Sequence, residues 1–234
     1  MAASGNVRYS QVRSGDRSGT GVKIATVTGT LTVDKQLKFD ANGNVVASAI
    51  DIGGGSGVGL IHLGSQTASA SSSLNFTSLI SSTYNVYMIT IEDLVVATNA
   101  AYLWFRVSTD NGSSYVSTGD YNWHFLQNSG AGTALASGGS ANEIQCSEQI
   151  WNSTNTIALN GTFWLFNPLG TALWKTIRGE CVHTYPSDTI INNMQHLRVF
   201  GVYKQTTAVN AFQFLMSTGN ITSGVIRLYG LAKS

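Results

Sequence analysis

From Leu60 to the C-terminus the chain offers one short apolar run after another, each closed by a cluster of Gly, Ser, Thr or Asn. The runs are VYMITIEDLVV from Val86, YLWFRVST from Tyr102, YNWHF from Tyr121, EIQCSEQIW from Glu143 and IALNGTFWLF from Ile157. They continue with LWKTIRGECVH from Leu173, HLRVFGVY from His196, AFQFLM from Ala211 and VIRLYGL from Val225. β-branched and aromatic residues recur with a period of two at intervals of about ten to twenty residues, and turns such as Asp110-Asn111-Gly112-Ser113 separate them. No stretch combines a helical period with caps, and Thr67 to Ser82 (TASASSSLNFTSLISS) reads as an extended crossing. The composition agrees: 27 Ser, 24 Thr, 18 Asn and 25 Gly but two Pro supply polar turns between strands. The pattern predicts an all-β protein, with residues 60–234 forming a jelly-roll-like antiparallel β-sandwich.

Charge is sparse. Lys+Arg number 13 and Asp+Glu 12, for a net charge of +1, and between Lys38 and Lys175 the one basic residue is Arg106. A nucleic-acid binder needs clustered cations to neutralise phosphates, and an anionic membrane surface asks for the same, so neither is an expected partner. The N-terminal MAASGNVRYSQVRSG has no apolar stretch after its charges, so no signal peptide and no membrane insertion are expected. Cys146 and Cys181 lie in separate apolar runs without a partner motif and read as two free, buried thiols rather than a disulfide.

Ahead of the sandwich the chain changes character. Residues up to about Thr20 are polar, carry Arg8, Arg13 and Arg17, and lack the apolar side chains to fold alone. From Val22 the sequence VKIATVTGTLTVDKQLKFDANGNVV alternates, and Asn42-Gly43 signals a β-hairpin around Phe39 and Val45. Such a hairpin buries too little to stand alone and needs a partner surface. The Gly-rich stretch from Asp51 to Gly59 then reads as a flexible linker or a tight packing neck, dividing the chain into residues 1–59, an attachment and neck segment with a hairpin, and 60–234, the sandwich. Within the sandwich, Phe163 and Leu165 oppose Trp164 and Phe166, so both faces of that strand are apolar. Association of identical subunits, a homotrimer, would cover the second face.

No chemistry-bearing cluster emerges. The four His stand far apart, with His62 the best placed to be gathered by a threefold axis. Cys181 and His183 share a strand face, which reads as a buried thiol beside a surface His because no oxyanion-hole motif accompanies them. Glu92 and Asp93 are adjacent, point to opposite faces and read as a strand end. Accordingly no catalytic residue, no metal and no cofactor is expected. The aromatics carry the one binding hypothesis: Trp and Tyr stack on sugar rings while amides read hydroxyls. Tyr121 and Trp123 form one candidate ligand site, and Trp151 with Asn152 and Asn155 a second. The near absence of basic residues from Phe39 to Trp174 points to a neutral saccharide or a protein receptor.

Three segments carry a family resemblance. Lys38-Phe39-Asp40-Ala41-Asn42-Gly43-Asn44-Val45-Val46 resembles the small β element in the shafts and necks of tailed-bacteriophage fibre and minor tail proteins. The strand from Tyr87 to Val96, with Ala101 to Ser114 after it, and the segment from Ile221 to Leu231 look like the C-terminal β-sandwich of the same proteins. The resemblance implies a virion structural protein made in the host cytoplasm, a trimer attached to other virion structural proteins by its N-terminal part. Its C-terminal domain would face outward toward a host surface glycan or protein receptor. A long repetitive shaft is missing, which leaves a short tail fibre, a tail-tip subunit, or a capsid decoration or head fibre protein.

Overall fold

The computed structural model describes residues 35–39, 45–51, 59–130, 132–152, 158–184 and 194–233. The chain divides into two units, Met1–Ser56 and Gly57–Ser234. In the first, β1 (Lys35–Phe39) pairs antiparallel with β2 (Val45–Asp51). The expected hairpin around Phe39 and Val45 is there, with these two residues paired, and the residues of its turn lie outside the described residues. The residues before Lys35, including Arg8, Arg13 and Arg17, lie outside the described residues.

The second unit holds the remaining strands. They are β3 (Leu60–Thr67), β4 (Ser73–Phe76), β5 (Val86–Val96), β6 (Leu103–Ser108), β7 (Tyr121–Ser129) and β8 (Gly132–Ala141), then β9 (Ile144–Gln145), β10 (Leu159–Phe166), β11 (Lys175–Thr184), β12 (Met194–Tyr203), β13 (Ala211–Met216) and β14 (Ile221–Leu231). They form two antiparallel sheets, ordered β3-β14-β5-β10-β11-β12-β7-β8 and β4-β13-β6-β9. The protein is all-β, a sandwich, and its pairing is that of a jelly roll. Set aside β7, β8, β11 and β12. Of the eight strands left, the first pairs with the last (β3 with β14), and inward from there β4 pairs with β13, β5 with β10 and β6 with β9. The hairpins β7–β8 and β11–β12 are inserted between these strands and extend the larger sheet beyond β10.

Strand alternation decides the core. Across the inner face of the large sheet, Leu228, Ile89, Phe163, Gly179, Val199 and Phe125 stand side by side on six successive strands. Facing them, the small sheet contributes Phe76, Phe105, Phe212 and Phe214, all 0% exposed. The Phe163 and Phe214 rings meet across the sandwich at 6.1 Å between centroids. The segment around β9 covers the extension: the Cys181 thiol donates to the Cys146 carbonyl at 3.3 Å, and both cysteines are free and buried.

Gly179 is required by this packing. A Cβ there would lie 2.4 Å from Phe163 Cδ1 and 2.5 Å from the Thr162 carbonyl oxygen, and the latter is backbone held in the ladder. We expect Gly179→Ala to cost about 2 kcal/mol and lower the melting temperature by several degrees, since neither neighbour can retreat. Thermal denaturation followed by circular dichroism checks this.

Two local readings are corrected. Glu92-Asp93 does not end β5 but makes a bulge within it. Asp93 takes a left-handed φ of 49° and its N–H donates to Asn160 Oδ1, and the pairing with both neighbours shifts register nearby. The extra residue lets Leu94 and Val96 turn inward again, both 0% exposed. His183 is not on the surface either. It is 1% exposed, on the inner face of β11 with Cys181.

Candidate functional site

The sequence-derived aromatic candidates separate once folded. Tyr121 cannot stack on a ligand: it is 0% exposed, and its hydroxyl donates to the Val116 carbonyl and accepts the Val107 N–H at 3.0 Å. Alternation puts Trp123 on the same inner face, where its indole lies parallel to Phe125 with centroids 5.6 Å apart. A Cβ on Gly138 would sit 2.6 Å from that indole, so the edge strand β8 is cut to fit it. Trp123 is half-buried packing at the sheet edge, and Asn122, on the outer face, accepts the Ser140 N–H. Trp151 is half-buried just after the bridge that joins Ile150 to Ala101. Asn152 is exposed, and its backbone N–H donates to Asn99 Oδ1 at 2.7 Å. Asn155 lies outside the described residues.

The remaining chemistry candidates are inert by environment. Burial pushes the Cys181 thiol up to about 12, away from the thiolate a nucleophile needs. His62 is exposed, bonded to Ser65 Oγ at 2.8 Å and edge-on to Tyr229. Among the described residues no three His, Cys, Asp or Glu side chains gather as a metal site.

What the fold does assemble is a groove of about 660 Å3 on the outer face of the large sheet, where the inserted strands extend it. Two rows of side chains floor it. Trp164 of β10, Arg178 of β11, Phe200 of β12 and His124 of β7 are direct cross-strand neighbours, and Thr162, Glu180, Arg198 and Leu126 form the next row on the same strands. With strands roughly 4.8 Å apart, each row runs about 14 Å across the sheet. Trp164 is half-buried, Phe200 is 39% exposed, and His124 tilts against Phe200 with ring centroids 5.3 Å apart. Arg178 lies over the Phe166 ring at 5.6 Å. Glu180 is engaged by His196 at 3.4 Å. Among the described residues, the ion pairs are those of Arg106 with Glu143, His196 with Glu180, and Arg227 with Glu92, so the guanidiniums of Arg178 and Arg198 have no carboxylate partner.

Of these groove residues the sequence alone singles out His124, one of the four scattered histidines, and Trp164, on an apolar second strand face, without joining them. The chain separates Phe200 and Arg198 from His124 and Leu126, and only the antiparallel pairing of β12 with β7 makes them neighbours. No family model, curated protein or solved structure matches the chain.

Proposed function

We propose that the chain is a virion structural protein, a short phage tail fibre or tail-tip subunit acting as a homotrimer, with residues 1–59 attaching it to neighbouring virion proteins and the sandwich presented toward the host. The observation that carries this reading is the division of the chain. A first unit whose described residues form a two-stranded hairpin, a pair too small to be stable alone, precedes a jelly-roll sandwich in the chain, a division that suits attachment by one part and display by the other. The resemblance of the hairpin and sandwich segments to tailed-phage fibre proteins supplies the virion context. Half-exposed Trp164 and Phe166 on the outer sheet face support association or ligand contact there rather than catalysis.

The groove favours a second reading, a lectin-like module, because it pairs aromatic faces with polar groups. The test is electron microscopy of purified particles gold-labelled with an antibody to the sandwich. Label at the tail tip is the expected result. Label over the head assigns a decoration or head-fibre role, and particles without label reject the virion reading and leave the lectin-like one.

A further inference from the structure

We propose that the outer-face groove binds a saccharide that carries a carboxylate, a sugar acid within a short oligosaccharide. The inference deepens the reading of the sandwich as the ligand-contacting end of the chain, and rests on it. A volume of about 660 Å3 lies in the range of small-ligand sites. Trp164 and Phe200 flank Arg178 in one row, which sets two aromatic side chains two strands apart, a spacing that suits the stacking of sugar rings. Arg198 stands diagonally across from Arg178, opposite Glu180 and two residues from Phe200 along β12. Both arginines line the groove from adjacent strands, the Arg178 guanidinium over the Phe166 ring beside it, and neither has a carboxylate partner among the described residues.

A planar guanidinium fork matches a carboxylate in two parallel hydrogen bonds, a pairing that a neutral saccharide cannot supply. Glu180, whose carboxylate meets His196, and His124 line the same groove and can bond hydroxyls. A polyanion such as nucleic acid would need a longer track of cations than these two. This revises the neutral saccharide expected from the sequence. Arg178 and Arg198 lie beyond the cation-poor span in the chain, but β11 and β12 bring them beside Trp164 and His124, which lie within it.

The test is calorimetric titration of the full chain with oligosaccharides of galacturonate, glucuronate and N-acetylneuraminate, each against its neutral counterpart. We expect at least one acidic series to bind about tenfold or more tighter than its neutral match, and the preference to weaken as salt rises. Arg178→Gln with Arg198→Gln should abolish that preference and leave the melting temperature and oligomeric state unchanged, since both side chains are exposed. Trp164→Ala should weaken acidic and neutral sugars alike.

Equal binding of acidic and neutral sugars, binding by none, or undiminished binding in the double variant overturns the proposal. A double variant that binds no sugar and falls from an oligomer to a monomer in light scattering overturns it too, and makes this face a subunit contact. Failure here with particles still labelled at the tail leaves the virion reading standing. Sugar binding without labelled particles leaves the groove and removes the virion.

Discussion

Replacing Phe212 by alanine is expected to destabilise the sandwich by about 3 to 5 kcal/mol, lowering the melting temperature by roughly 10 °C or more. Phe212 is 0% exposed at the middle of the small sheet, between β4 and β6. Its ring stacks on Phe76 at 4.9 Å and on Phe105 at 5.4 Å, and meets Phe214 edge-on at 6.1 Å. Phe214 in turn reaches Phe163 of the other sheet, so removing the Phe212 ring opens a cavity at the junction of both layers. Phe105, Phe214 and Phe163 sit on strands held by ladders on both sides and cannot close over the gap, and Phe76 is held on edge strand β4 by its ladder to β13. Phe200→Ala is the matched control: the same side chain, 39% exposed on the outer face, should cost at most about 1 kcal/mol. Chemical denaturation of the two variants and the parent measures the difference. Similar losses for both would mean that the outer face is as tightly covered as the core, the result expected if a subunit contact encloses Phe200.

Much of the fold was legible because β patterning is local. In FWLF the alternation placed Phe163 and Leu165 together, and both are buried, with Trp164 and Phe166 half-exposed behind them. The strand Gly132–Ala141, sequence GTALASGGSA, was not legible: it is a mostly exposed edge strand with no apolar face to betray it. Similarly EIQCSEQIW reads as one long strand, but the ladder keeps only Ile144–Gln145. The rest of that run instead bonds back singly to β6 and the residues just before it, Cys146 N–H to the Leu103 carbonyl and Ile150 N–H to the Ala101 carbonyl. The jelly-roll order itself pairs the ends of the unit, and no local pattern encodes which distant strand a run will find.

The candidate site was harder to read for two physical reasons. Alternation tells which residues share a face but not which face is the core, and Tyr121 with Trp123 fell on the core side. Charge along the chain also differs from charge across the surface. A segment poor in cations becomes the floor of a cationic groove once its strand pairs with one that carries them, as β10 does with β11.

Acidification between pH 6.5 and 4 is expected to destabilise the folded chain through His183 by up to about 3 kcal/mol. The side chain is 1% exposed; its Nδ1 lies 3.3 Å from the Thr184 carbonyl oxygen, and its Nε2 has no hydrogen-bond partner among the described residues. Burial penalises the imidazolium and lowers the pKa from 6.5 to about 4, against a smaller opposing effect of the Thr184 carbonyl. The sign follows from the proton count. Below about 6.5 the unfolded chain takes up a proton that the folded chain refuses, so stability drops with pH until the folded imidazole also titrates, near 4. Glu148 acts in the opposite direction, since burial raises its pKa and the fold holds that proton more readily than the open chain does. Asp110, bonded by Ser114 and Ser108, is lowered to about 2 and loses its contribution only in stronger acid, outside this window. His183→Asn separates these contributions, because it keeps a donor near the Thr184 carbonyl and removes the ionisation. Melting temperatures of parent and variant measured from pH 7 to 4 should diverge in slope, the variant staying nearly flat where the parent falls. Parallel curves would assign the acid sensitivity to another group.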